Sequence, residues 1–151
     1  MVAVPGAGYP RAVPDVVVAG DESWVRDEVC SVLSGLSGHG DITVREVTSG
    51  PAVLAAAQEA QPDLVVLDQQ TGNMGAMAVC LDLRLEEGAG RLGHVPVLML
   101  LDRRADVFLA RRFDADGWLL KPLDPIRLRK AIDALLAGRS YHDESYKPTP
   151  A

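Results

Sequence analysis

A doubly wound α/β domain, a parallel sheet with helices on both faces, is the fold class this sequence predicts. Three observations predict it. Short apolar runs alternate with helical patterns five times between residues 15 and 137. Most of these runs are apolar throughout, as strands buried on both faces must be. Each run is followed by a segment long enough to cross back and start a parallel neighbour.

Asp15-Val16-Val17-Val18-Ala19 is a β-branched run that ends in Gly20-Asp21. Val25, Val29, Val32, Leu33 and Leu36 then fall at helical spacing, and Gly35, Gly38 and Gly40 end that helix. Residues 42–47 alternate, as a half-exposed strand does. Ser49 caps, and Pro51 opens, an alanine-rich helix to about Ala60. Leu64-Val65-Val66-Leu67 runs into Asp68, and a helix follows over about 75–87. After a glycine-containing loop, residues 88–94, the run from Val95 to Leu101 ends in Asp102, and a fourth helix covers roughly Arg104 to Phe113. Trp118-Leu119-Leu120 is a fifth strand, ending at Lys121-Pro122. Asp124 and Pro125 start the last helix, whose inner face is Leu128, Ala131, Ile132, Leu135 and Leu136. Residues 1–14, with three prolines, read as a flexible arm, residues 15–137 as one domain, and residues 138–151 as a polar tail.

Composition narrows the function. The chain has 151 residues, is 48% hydrophobic and carries a net charge of −6. That suits one domain with a true core and excludes disorder throughout. The acidic balance argues against direct nucleic-acid binding, which needs a basic face. No apolar run is long enough for a membrane span, and the N-terminus lacks the pattern of a secretory signal. Two cysteines make no disulfide framework, so the expected compartment is the cytoplasm.

Ligands of such sheets bind beyond the carboxyl ends of the strands. That directs attention to Asp21, Asp68, Asp102 and Lys121. Clustered carboxylates repel unless a cation joins them, and a hard ion such as Mg²⁺ takes oxygen ligands. Taken singly, each aspartate could equally be a turn or cap residue. Together, with the lysine, they could bind a phosphoryl group or let Asp68 attack phosphorus.

The stretches VVVAGDESWVRDEV, PDLVVLDQQTGNMGAM, PVLMLLD and ADGWLLKPLDPIRL resemble the receiver domain of bacterial two-component response regulators. The resemblance covers about residues 15–137 and implies a flavodoxin-like (βα)5 fold with strand order 2-1-3-4-5. It implies that Asp68 is the phosphoacceptor, that Asp21, Asp68 and the backbone carbonyl of Gln70 hold Mg²⁺, and that Lys121 pairs with the phosphoryl group across a cis Lys121–Pro122 bond. It further implies a histidine kinase or other signalling protein as partner. A face of fourth helix, fifth strand and fifth helix would carry output or a homodimer.

Departures from the family pattern make the chain atypical. Gly20 stands where the first carboxylate of an acidic pair is usual, with Glu22 on the far side of Asp21. Leu101 replaces a threonine or serine and cannot donate to phosphate, a loss of about 1.5–3 kcal/mol. Asp102 replaces a small residue and is expected to repel a phosphoryl dianion unless Arg103 or the metal screens it. The aromatic switch position is kept as Trp118. The expected function is a stand-alone receiver phosphorylated on Asp68, signalling by protein contacts and at most assisting its own phosphotransfer and dephosphorylation. The alternative is a protein-binding module of the same fold in which phosphorylation plays no part. A phosphatase-type enzyme is disfavoured because Gln69 and Gln70 supply no second carboxylate, and flavin binding because GDESW lacks a hydroxyl-rich loop.

Cys30 and Cys80 belong to helices expected on opposite faces, so no internal disulfide is expected. His39, His94 and His142 read as solvated, and Met74 and Met77 as packing residues. Trp24 reads as a surface aromatic or a gate beside Asp21. Arg103, Arg104, Arg111, Arg112, Arg127, Arg129 and Lys130 give the last two helices a basic cast, either solvated or a docking face.

Overall fold

The computed structural model describes residues 13–36, 41–72 and 75–144. Five strands, β1 (Asp15–Ala19), β2 (Thr43–Val47), β3 (Leu64–Asp68), β4 (Val97–Leu101) and β5 (Gly117–Leu120), alternate with α1 (Ser23–Ser34), α2 (Gly50–Glu59), α3 (Ala76–Gly88), α4 (Val107–Arg112) and α5 (Pro125–Leu136). All strand pairs are parallel. The order begins 2-1-3-4-5, as the resemblance implied, and a sixth short strand, β6 (Tyr141–His142), adds outside β5.

Side-chain alternation along the strands builds two cores. Val17, Ala19, Val65, Leu67, Met99 and Leu101 point into one layer with α2, α3 and α4. Val16, Val18, Leu64, Val66, Leu98 and Leu100 point into the other with α1 and α5. Strands β1, β3 and β4 are buried along their whole length, which is why they read as unbroken apolar runs. Edge strand β2 is half-exposed. Each fully buried Leu or Val stabilises the fold by about 1.5–3 kcal/mol.

Local signals set the element ends. The Ser49 hydroxyl accepts from the Ala52 amide at 3.3 Å, and Asp124 accepts from Ile126 at 2.8 Å, each with proline in the first turn. Strand β4 starts at Val97 rather than Val95, because Pro96 has no N–H to give. The fourth helix is shorter than its pattern. Residues Arg104–Asp106 form a single 3₁₀ turn and the α-helix begins only at Val107. The Arg103 guanidinium forks onto the buried Asp106 carboxylate at 3.1 Å, which favours that tighter turn.

The segment after α5 differs most from expectation. Residues 138–144 are not all tail. Tyr141–His142 pair with Gly117 and Trp118. The buried Asp143 carboxylate accepts from the Leu120 amide at 2.9 Å and faces Arg127 at 3.7 Å. His142, although exposed, stacks flat on Trp118 at 4.1 Å between centroids. His94 is also not merely solvated. It meets Asp116 at 2.8 Å and Glu87 at 3.4 Å. Residues 1–12 and 145–151, which hold most of the expected arm and half of the expected tail, lie outside the described residues, as do His39, Asn73 and Met74.

Candidate functional site

Parallel pairing in register brings the strand ends level. Ala19 lies beside Leu67, and Asp68 beside Leu100. The residues that follow β1, β3, β4 and β5 therefore share one edge of the sheet. Asp68 is the last residue of β3 and is 0% exposed. Its Oδ1 accepts from Lys121 Nζ at 2.5 Å and from the Gln70 amide at 3.3 Å. The same ammonium donates to Asp102 Oδ1 at 2.8 Å. Asp102 Oδ2 accepts from the Gln70 side-chain amide at 2.9 Å. Lys121, Asp102 and Gln70 thus close a ring of contacts around the Asp68 carboxylate. The Lys121–Pro122 bond is cis.

Electrostatics follow from burial and from this ring. Burial pushes the Asp68 carboxyl above its ordinary range, and the Lys121 contact only partly opposes it. Burial also works on Asp102, but hydrogen bonds from Lys121 and Gln70 outweigh it and hold that carboxyl low. Burial would depress the Lys121 ammonium, yet hydrogen bonds to Asp102 and Asp68 hold it above the usual lysine value. Asp102, expected to repel a phosphoryl dianion unless screened, is itself a partner of Lys121. Arg103, the expected screen for Asp102, directs its guanidinium to Asp106.

The metal side is leaner. Gly20 has no room for the missing carboxylate. A Cβ there would stand 2.9 Å from Asp68 Cβ and 3.3 Å from Asp68 Oδ2. Glu22 does not replace it, since its carboxylate accepts from the Trp24 indole at 2.7 Å on the surface. The Gln70 carbonyl accepts from the Asp21 amide at 3.1 Å. A Cβ on Gly72 would come within 2.6 Å of Asp21 Oδ1, so Gly72 leaves room for that carboxylate. Among the described residues, no three His, Cys, Asp or Glu side chains gather to hold a metal ion. One observation favours a cation all the same. Asp68 Oδ2 is buried with no hydrogen-bond partner. Carboxylate and carbonyl oxygens such as those of Asp68, Asp21 and Gln70 are the ligand type that Mg²⁺ takes, and an ion there would meet fewer charges than an acidic pair supplies.

Behind the site, Leu101 and Trp118 are both buried in the α2–α3–α4 core. Trp118 is held between His142 on its ring and Arg111, whose guanidinium carbon is 5.3 Å from the centroid. Its indole N–H has no partner.

Several contributors carried no sequence signal. Gln69 accepts from the Asp102 amide at 2.7 Å and donates to Asp106 at 2.7 Å. The Thr71 hydroxyl donates to the Asp68 carbonyl, and Arg26 donates to the Gly20 carbonyl at 2.6 Å. The Gln69 contacts join loops 33 and 37 residues apart, so no local spacing announces them, while the Thr71 and Arg26 contacts are local and depend on how the strand-end loops fold. Cys80 is buried, donates to the Phe113 carbonyl, and has a thiol pushed up to about 11 by burial. Both cysteines are free.

Comparison with known proteins gives a consistent result. The family model described as response regulator receiver domain matches residues 16–133. The nitrate/nitrite response regulator protein NarL of Escherichia coli is 32% identical over 112 residues, 74% of this chain and 50% of NarL. The DNA-binding response regulator MtrA of Mycobacterium tuberculosis is 30% identical over 123 residues, 80% of this chain and 50% of MtrA. The chain spans about half the length of these curated relatives. The signal receiver domain of the response regulator NarL from Mycobacterium tuberculosis superposes with TM-score 0.70 at 30% identity, over 83% of this chain and 98% of that one. Chemotaxis response regulator CheY4 of Vibrio cholerae superposes with TM-score 0.69 at 23% identity, over 82% and 98%, a likeness of fold alone.

Proposed function

Because the chain belongs to the response regulator receiver domain family, we propose that it accepts a phosphoryl group on Asp68 and signals by protein contacts. One observation carries the reading: a strand-end carboxylate buried against a lysine ammonium at 2.5 Å, with its second oxygen unpartnered. A carboxylate oxygen of Asp68 attacks the phosphorus of a phosphohistidine on a histidine kinase or other signalling protein. The O–P bond forms as the N–P bond breaks, and the departing electron pair stays on the imidazole nitrogen, which takes up a proton. Lys121 neutralises charge on the phosphoryl oxygens. Mg²⁺, held by Asp21, Asp68 and the Gln70 carbonyl, supplies further charge neutralisation when bound. The chain acts on no separate substrate and only assists its own transfer and hydrolysis. Output runs through the α4–β5–α5 face, either to a protein partner or to a second copy.

The test is intact mass after incubation with Mg²⁺ and acetyl phosphate. One acid-stable, base-labile phosphoryl adduct is expected, lost in Asp68→Asn and largely lost when EDTA removes the metal. The Asp102–Lys121 contact favours a second reading, a binding module of this fold that is never phosphorylated. Absence of an adduct from the wild-type chain and from Asp102→Ala alike would support that reading instead.

A further inference from the structure

Asp102, a departure from the family pattern, is tied to three other residues at the site. Its carboxylate contacts Lys121 at 2.8 Å and Gln70 at 2.9 Å, and its amide is held by Gln69 at 2.7 Å. Gln69 in turn donates to Asp106, the 2%-exposed residue directly before α4. An unbroken chain of hydrogen bonds therefore runs from the Lys121 ammonium through residue 102 to the start of α4.

We propose that Asp102 is a positioning residue, a built-in anionic ligand of Lys121 that a phosphoryl group on Asp68 displaces. The inference rests on Asp68 being the acceptor. Lys121 carries one positive charge and already satisfies two carboxylates. Phosphorylation replaces the single negative charge of the Asp68 carboxylate with up to two on the phosphoryl oxygens beside the same ammonium, and those oxygens compete with Asp102 for it. Repulsion between that dianion and the held carboxylate works in the same direction. Once displaced, the Asp102 carboxylate no longer ties residue 102 to Lys121 and Gln70, so only the contact of its backbone amide with Gln69 anchors residue 102, and the turn leading into α4 loosens. Leu101 has no hydroxyl with which to pull the loop inward on phosphorylation. Expulsion of a carboxylate would supply the link that a hydroxyl cannot.

The proposal separates Asp102 from a merely structural residue, because it couples the site to α4. Amide hydrogen exchange over residues 102–113 of the full chain is measured with Mg²⁺ alone and with Mg²⁺ plus beryllofluoride. Acetyl phosphate adduct formation is followed in parallel by intact mass. In the wild type, exchange over 102–113 is expected to rise several-fold with beryllofluoride. In Asp102→Ala it is expected to be high already, to respond little, and to accompany an adduct forming roughly tenfold faster. Asp102→Asn, which keeps the shape but not the charge, should lie between. An adduct on wild-type Asp68 with unchanged exchange over 102–113, or an unchanged rate in Asp102→Ala, would overturn the displacement and leave the acceptor assignment standing. No adduct on either chain would overturn both.

Discussion

At Asp68, burial raises the carboxyl above its ordinary range, so ionisation at neutral pH works against folding. The penalty is absent below the unfolded carboxyl value and fully developed above the folded one. Asp68→Asn is therefore expected to stabilise the chain at pH 7 to 8, with the gain fading as pH falls. Urea melts across pH check this. Gly20 fails for a different reason, which is steric. A methyl group there meets the Cβ of a fixed, buried neighbour rather than the end of a flexible chain. Gly20→Ala is expected to cost about 1–3 kcal/mol in the same melts. Restoring an aspartate at residue 20 would therefore disturb Asp68 before it helped a metal.

Among the elements, the turn into β4 has its own pH signature. A hydrogen bond to Asp116 raises His94, and Arg84 ties Asp116 and Glu87 into the same cluster at 2.7 and 2.8 Å. A raised histidine contributes stability that is fully present below its unfolded value and is lost as pH rises through its folded value. Wild-type stability should therefore fall relative to His94→Gln as pH rises from the ordinary histidine range through the raised folded value, as thermal melts in matched buffers would show. Equal slopes for the two chains would contradict the pairing. Strand β6 adds a second element-scale feature. With only two residues, it owes its place to the Trp118–His142 stack and the Asp143 contacts rather than to any pattern of its own.

For the molecule as a whole, legibility in the sequence follows the range of the interactions. The five strand–helix units were readable because burial on both faces makes the inner strands unbroken apolar runs, edge strand β2 alternates, and the helices repeat at about 3.6 residues, all within a dozen residues. The strand-end residues Asp68, Lys121 and Asp102 were readable because parallel topology sends all carboxyl ends one way. Their pairing was not. The sequence places a negative charge at residue 102, but only the fold shows that it meets Lys121. Gln69 and Asp106, 37 residues apart, and the crowding at Gly20 were hidden for the same reason. No helix among the described residues is long and apolar enough to cross a membrane.

Phosphoryl acceptance comes down to one atom pair, an Asp68 carboxylate oxygen and an incoming phosphorus. Borohydride reduction of the acyl phosphate followed by peptide sequencing in a mass spectrometer tests it most directly. After treatment with Mg²⁺ and acetyl phosphate, homoserine is predicted at residue 68 and nowhere else. Homoserine at Asp21 or Asp102, or an unreduced Asp68 in a chain that carries phosphate, would contradict it.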